Sequence, residues 1–327
     1  MSLAATVTVT LLALAANADW FGWAGELVST MGWRLSALGL LISGVQLLAH
    51  HPRHALVTFT ASCLALGPTL AMSPRAPSGA SPTNSVSLRL LVANVHALND
   101  IPDHLVSMLA ESNADVLVLT EPPPTVMRAL RPDGTLAQNY PYVLRSKPDR
   151  GTHAWLVVAS RLPLTQAPGT VPGINPVVIT VQGHSVAIIA THLISPRSPT
   201  RYRQAQQQIS IVASLAQEFN DQNMPLILAG DLNSPPGSHL SRSLTEKTGT
   251  QRAKPITTIA GSWPTVLPRW LALPIDGAMV SPGIKIEHWS LVDLPGSDHR
   301  GLRIDLIIPN ADSDTQSRQS GSSPFNP

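Results

Sequence analysis

Acids, amides and histidines stand at the ends of apolar stretches along this chain. LILAGDLNSPP, residues 227–237, carries Asp231 and Asn233 directly after an apolar run. Asn94 follows LLVA, Glu121 follows LVLT and His192 follows IIAT. Asp276 lies within LPIDGAMV, and Asp298 and His299 precede GLRIDL. A charged group beside a core is costly unless it is paired, hydrogen-bonded or metal-bound. One such residue is ordinary turn punctuation. Seven or eight from separate strands could form a site where strand ends converge.

The residue types suit one chemistry. Glu121 and Asp298 are hard oxygen ligands for Mg²⁺ or Mn²⁺, and Asn94 could add an amide oxygen or contact a phosphate. Asp231 could orient or deprotonate a water, and Asn233 could hold a phosphate oxygen. His299 and His192 could donate to the charge that builds on phosphate, and Asp276 could fix the tautomer of His299. The set describes metal-assisted hydrolysis of a phosphoester. A calcium loop starting at Asp231 fails, because Pro235, Pro236 and Arg242 stand where a ligand, a glycine and a glutamate are needed. Zinc fits less well: residues 86–309 contain no close His-x-His or His-Glu-x-x-His pairing.

Strands must position these groups. SLRLLVANV (87–95), ADVLVLTE (114–121), AWLVVAS (154–160), LILAGD, IDGAMVS and LRIDLII read as strands. VVITV and SVAIIATHL read as a hairpin around Gln182, Gly183 and His184. PDHLVSMLAES (102–112) and SPTRYRQAQQQISIVASLAQEF (198–219) read as helices, the second with a capping serine and Pro199 at its first position. Many strands, few helices and both hairpins and crossovers predict a sandwich of two sheets with helices outside.

The first quarter of the chain differs. Residues 1–18, 35–49 and 55–72 contain no charged side chain. A membrane-spanning helix needs about 20 apolar residues. The second run is short unless Arg34 snorkels from its end. Trp20, Trp23 and Trp33 sit near the run ends, where interfacial aromatics are favoured. Ala16-Asn17-Ala18 has the form of a signal cleavage site, but MSLAAT lacks the basic residue that precedes such a core. The expectation is a membrane anchor of three helices over 1–72, with residues 19–34 looping between the first two. A Pro/Ser/Ala-rich linker (73–85), a catalytic domain (86–309) and a disordered tail (310–327) follow. Placing the loop HHPRH inside puts the catalytic domain outside the cytoplasm.

The chain has 22 Lys plus Arg against 20 Asp plus Glu, a balance that is no nucleic-acid footprint. Its one cysteine, Cys63, lies in the third apolar run, so no intramolecular disulfide can form and the domain has no thiolate chemistry.

Taken in order, VANVH, LVLTEP, ASRLPL, IATHLISP, LAGDLNSPP, PIDGAMVS and GSDHRGL resemble the endonuclease/exonuclease/phosphatase superfamily, and with the apolar N-terminus its bacterial membrane-anchored members. The resemblance implies a four-layer α/β sandwich, two packed mixed sheets flanked by helices. It implies metal held by Glu121 with Asn94 nearby and Asp298 completing the site. Asp231 would align or deprotonate water, Asn233 would orient the phosphate, His299 supported by Asp276 would contact it, and His192 would stabilise the pentavalent transition state. Whether Asp231 or His299 is the base, and whether one or two metals act, stays open. The implied substrate is a phosphodiester, in a lipid head group or a small molecule. A nuclease and an inactive membrane interaction module are the alternatives, and the intact acid–amide–histidine set opposes the latter. His96, His153 and His184 read as surface or structural histidines. Arg203 and Gln207 read as a solvated helix face, and Trp263 and Trp270 as sandwich packing.

Overall fold

The computed structural model describes residues 2–17, 21–71, 85–146, 155–255 and 259–309. Trp20, His153, the expected tail and all but the last residue of the expected linker lie outside them.

Three helices come first: α1 (Ser2–Asn17), α2 (Gly22–Leu48) and α3 (Pro52–Ala71). One sheet is built from β1 (Ser85–Asn94), β2 (Val116–Thr120), β3 (Tyr142–Arg145), β4 (Leu156–Ser160), β11 (Lys285–Asp293) and β12 (Arg300–Pro309), ordered β11-β12-β1-β2-β4-β3. The other is built from β5 (Leu164–Gln166), β6 (Ile174–Val181), β7 (His184–His192), β8 (Leu226–Asp231), β9 (Gln251–Arg252) and β10 (Asp276–Val280), ordered β5-β6-β7-β8-β10-β9. Each sheet is mixed: β1 runs parallel to β2 and β7 parallel to β8, while the remaining pairs are antiparallel.

Alternation along the strands sets the layers. Leu88, Leu90 and Val92 of β1 face Ile188, Ile227 and Ala229 across the sandwich. Leu91 and Ala93 point outward to α4 (Pro102–Glu111) and α5 (Pro124–Ala129), meeting Leu105, Leu109 and Val126. On the other side, Leu226 and Leu228 of β8 meet Ile209, Val212 and Ala216 of α6 (Pro199–Asp221), with Leu240 and Leu244 of α7 (His239–Thr248) beside them. Helices, sheet, sheet and helices make the expected four-layer sandwich. The central strands are buried on both faces, so they read as continuous apolar runs.

The helical trio inverts this pattern. Leu3, Leu11, Leu41, Val45, Leu56, Phe59 and Leu64 are exposed, while Thr6, Ser36, Ser43, Gln46, Thr58 and Ser62 are buried. The interior is held by hydrogen bonds: Gln46 Nε2 donates to Thr6 Oγ1 at 3.0 Å and Ser43 Oγ to the Ala55 carbonyl at 2.8 Å. Small and polar residues inside with large apolar ones outside is the arrangement of helices packed in lipid. Among the described residues, α2 is the one helix long and apolar enough to cross a membrane.

α2 also corrects the expected loop over 19–34, since it is helical from Gly22 and kinks at Gly32 (φ 40°, ψ −122°). Its first turns lie on the sandwich. The Trp23 indole donates to the Pro196 carbonyl at 2.8 Å, and Arg34 Nε donates to the Leu271 carbonyl at 3.1 Å. Glu26 is fully buried, and its Oε2 accepts from the Leu240 N–H at 3.0 Å. Ser29 Oγ accepts from the His239 N–H at 3.3 Å. Side chains of α2 thus satisfy the first two N–H groups of α7, and Ser238 Oγ caps the third.

Candidate active site

Strand register brings the polar ends to one edge of the sandwich. Asn94 lies opposite Thr120 in the parallel β1–β2 pair, so Glu121, the next residue, ends beside it. His192 and Asp276 both lie opposite Asp231, from the two strands that flank β8. His299 directly precedes β12, which runs antiparallel to β1 and so starts where β1 ends.

The side chains form a network across both sheets with the His299–Asp276 pair packed beside it. Asn94 Nδ2 donates to Glu121 Oε1 at 3.2 Å and to Asp231 Oδ2 at 3.0 Å. His192 Nε2 stands 3.4 Å from Glu121 Oε1 and 3.8 Å from Asp231 Oδ2. His299 Nδ1 and Asp276 Oδ2 are 2.7 Å apart. Asp231 Oδ1 accepts from the Asn233 N–H at 2.9 Å, and Asn233 Nδ2 donates to the Leu193 carbonyl at 2.8 Å. Asp298 Oδ2 accepts from the Trp263 indole at 3.0 Å, and its Oδ1 is 3.4 Å from His96 Nδ1. Glu121, His192, Asp231, Asn233, Asp298 and His299 line a cleft of about 520 Å³, with Asn94 and Asp276 buried behind it.

The backbone bends sharply to do this. Gly230 has φ 148°, and a Cβ there would lie 1.7 Å from the Thr191 carbonyl oxygen, so the position before Asp231 must be glycine. His96, Glu121 and Asn233 adopt φ of 58°, 54° and 47°. Such conformations persist in non-glycine residues where the surroundings over-determine them, as at functional sites.

Charge is concentrated. Burial, then the neighbouring Asp276, raises the Asp231 pKa. Burial pulls the His299 pKa down, but the charge and hydrogen bond of Asp276, with Asp231 behind them, outweigh it and carry the value to about 10. His299 is therefore an imidazolium at neutral pH. Buried Arg252 backs the pair, donating to the Asp276 carbonyl at 3.3 Å and the Pro274 carbonyl at 2.9 Å.

Two donor sets could hold a cation. Asp231, Asp276 and His299 each offer a ligand atom within 4.8 Å of the others, and Asp276 Oδ1 is buried without a hydrogen-bond partner among the described residues. His299 Nδ1, however, is taken by Asp276. The second set is Glu121 with Asn94 beside it, an oxygen-rich corner that opens into the cleft. Hard oxygen donors with room for waters suit Mg²⁺ or Mn²⁺.

Some cleft residues escaped the sequence reading. His96 lines the cleft, and its N–H donates to Asn94 Oδ1 at 3.2 Å. Its place two residues after Asn94 was the available signal. Arg197, Arg201 and Gln208 line it too, Gln208 Oε1 accepting from the Ile194 N–H at 2.7 Å. Arg203 and Gln207 are exposed on α6, as expected. His184 opens β7, at the opposite end from His192. Trp263 is a cleft residue rather than buried packing, and Trp270 is exposed. Leu27 and Thr30 of α2 also line the cleft.

The model of the Endonuclease/Exonuclease/phosphatase family matches residues 91–299. The chain belongs to this family. Solved structures share the fold. An endonuclease/exonuclease/phosphatase from Beutenbergia cavernae is 20% identical with a TM-score of 0.51, covering 69% of this chain and 72% of its own. A counterpart from Bacteroides vulgatus is 14% identical with a TM-score of 0.53, covering 67% and 98%. The endonuclease domain of TRAS1, a telomere-specific retrotransposon, is 16% identical with a TM-score of 0.51, covering 69% and 99%. No curated protein matches the chain. Endonuclease/Exonuclease/phosphatase proteins are metal-dependent phosphoesterases and nucleases, and this chain has their fold with Asp231, Asp276 and His299 clustered at its cleft.

Proposed function

We propose that the protein is a membrane-tethered, divalent-metal-dependent phosphodiesterase. The observation that carries this reading is the convergence of Glu121 and Asp231, tied together through Asn94, and the His299–Asp276 pair on one cleft. Asp231 orients an attacking water and accepts its proton. Its carboxylate is already aimed by Asn94 Nδ2 and the Asn233 N–H, which lowers the reorganisation needed at reaction. His299, held as an imidazolium by Asp276, donates to the phosphate oxygens, and His192 adds a second donor beside them. With His299 already protonated, Asp231 is the better base of the two. Glu121, Asn94 and Asp298 would hold the cation, which would supply Lewis-acid stabilisation of the phosphate charge.

The membrane tether rests on the inside-out helical trio. Gln46 Nε2 reaches the Ser2 carbonyl at 3.2 Å at one end, and Asn17 Nδ2 reaches the Leu64 carbonyl at 3.2 Å at the other. The start of α1 and the HHPRH loop therefore share the end away from the sandwich. With that loop in the cytoplasm, the catalytic domain is extracytoplasmic.

The test is turnover of bis(4-nitrophenyl) phosphate and plasmid DNA by the detergent-purified protein with Mg²⁺ or Mn²⁺ and with chelator. We expect metal-dependent hydrolysis that Asp231→Ala reduces by at least about a hundredfold. Cleavage of DNA alone would move the reading to a nuclease, and no hydrolysis by folded protein would favour an interaction module.

A further inference from the structure

The N-terminal helices do more than tether. Past the Gly32 kink, α2 joins the trio; before it, the helix lies on the sandwich and delivers Leu27 and Thr30 into the same cleft as Glu121, His192 and His299. A tether joined only through a linker would supply no side chain to the site.

The loop 259–273 borders the cleft and is tied to the same helix. On the cleft side, the Trp263 indole bonds Asp298, and Arg300 Nη2 donates to the Thr265 carbonyl at 2.8 Å and the Leu267 carbonyl at 3.1 Å. On the other side, Arg34 donates to the Leu271 and Ala272 carbonyls. Between these ties the loop exposes Val266 (85%) and Trp270 (53%), with Leu267 also exposed. Arg34 lies two residues beyond the kink; Leu27 before it is exposed too, but the continuous series of exposed leucines, Leu38, Leu40, Leu41, Leu47 and Leu48, begins only after it. The loop is therefore fastened at the level where α2 would leave hydrocarbon. An exposed apolar cluster at that height matches the headgroup region, where tryptophan is favoured. Arg197 and Arg201 add cations to the cleft wall for an anionic ligand.

We propose that the cleft opens onto the bilayer surface and takes the phosphodiester of a membrane lipid, with Leu27 and Thr30 of α2 as the wall that meets its apolar part. Val266, Leu267 and Trp270 rest among the headgroups beside the entrance. The inference rests on the phosphodiesterase reading above. A duplex nucleic acid would have to press its phosphates against this apolar rim, and a small soluble diester has no use for one.

The experiment uses the full chain in nanodiscs of phosphatidylcholine and phosphatidylglycerol, with Cys63 as the labelling handle. Bimane on Val266→Cys in a Cys63→Ser background should be quenched by brominated lipid, as should bimane on native Cys63, which is exposed on α3. Bimane on Ser185→Cys, at the far end of β7 from the cleft, should not be. Val266 behaving like Ser185 overturns the placement. The second readout is the ratio of lipid-diester to bis(4-nitrophenyl) phosphate turnover. Leu27→Gln should lower that ratio at least about tenfold, the scale of removing one apolar contact from a pocket. Metal-dependent turnover of the soluble diester or of DNA with no lipid cleavage, or a ratio that Leu27→Gln leaves unchanged, overturns the lipid substrate and leaves the phosphodiesterase reading intact. Absence of all turnover overturns both.

Discussion

On one bank of the cleft, Asp231, Asp276 and His299 are buried close together, with His299 bonded to Asp276; on the other, Glu121, His96 and Asp298 stand partly in solvent. The closed bank holds its charges in a low-dielectric setting, where they act strongly and do not rearrange. The open bank has carboxylate oxygens that water can reach and a strained backbone at two of its residues, His96 and Glu121. Groups that must exchange a cation and its waters belong on the second kind of surface; groups that must be held in one fixed place against the water and the phosphate belong on the first.

This contrast can be broken by mutation. His299→Ala, on the closed bank, should lower kcat for bis(4-nitrophenyl) phosphate by roughly a hundred- to ten-thousandfold. The metal concentration giving half-maximal rate should stay put, and a large shift in it would show that the cation sits against His299 after all. Glu121→Ala, on the open bank, should do the reverse. It should raise the metal requirement at least about tenfold, with part of the rate recovered at high metal; an unchanged Mg²⁺ titration would remove Glu121 from the ligand set.

A subtler change sharpens the picture. Asp276→Asn takes away the partner that keeps His299 protonated, so the His299 pKa should fall from about 10 back toward its ordinary 6.5. The folded state binds this proton more tightly than the unfolded chain does. The pair's stabilisation is therefore complete below pH 6.5 and lost as pH rises through about 10. Denaturant melts across that window should lose stability in the wild type and stay flatter in Asp276→Asn. The smallest effect belongs to His96→Ala, whose half-open pairing with Asp298 supports no more than about a fivefold change in rate. A loss as large as that of His299→Ala would mean that the open bank does acid–base work.

Much of the closed bank could be read from sequence. β1, β2, β7 and β8 are buried on both faces, so each announces itself as an apolar run, and a polar residue where that run stops is conspicuous. Gly230 before Asp231 is a local requirement written locally. What escaped reading depends on partners far away in the chain. α7 has the polar sequence HLSRSLTEKT, and its first N–H groups are met by Glu26 and Ser29, more than 200 residues earlier. β11, KIEHWSLVD, lies at the edge of its sheet and is only partly buried, so its alternation is blurred. Leu27 and Thr30 fall in what reads as a loop between two apolar runs, and nothing local marks them until the sandwich is laid against them.

The docking of α2 on α7 also limits how this protein could be recombined. A gene fusion that exchanged the first three helices for another hydrophobic leader would keep every acid and histidine of the cleft. It would nonetheless take from α7 the acceptors of its first two N–H groups, leaving only the Ser238 cap, and remove one side of the entrance. Residues 26–30 and 237–242 form a single heritable unit, although some 200 codons separate them.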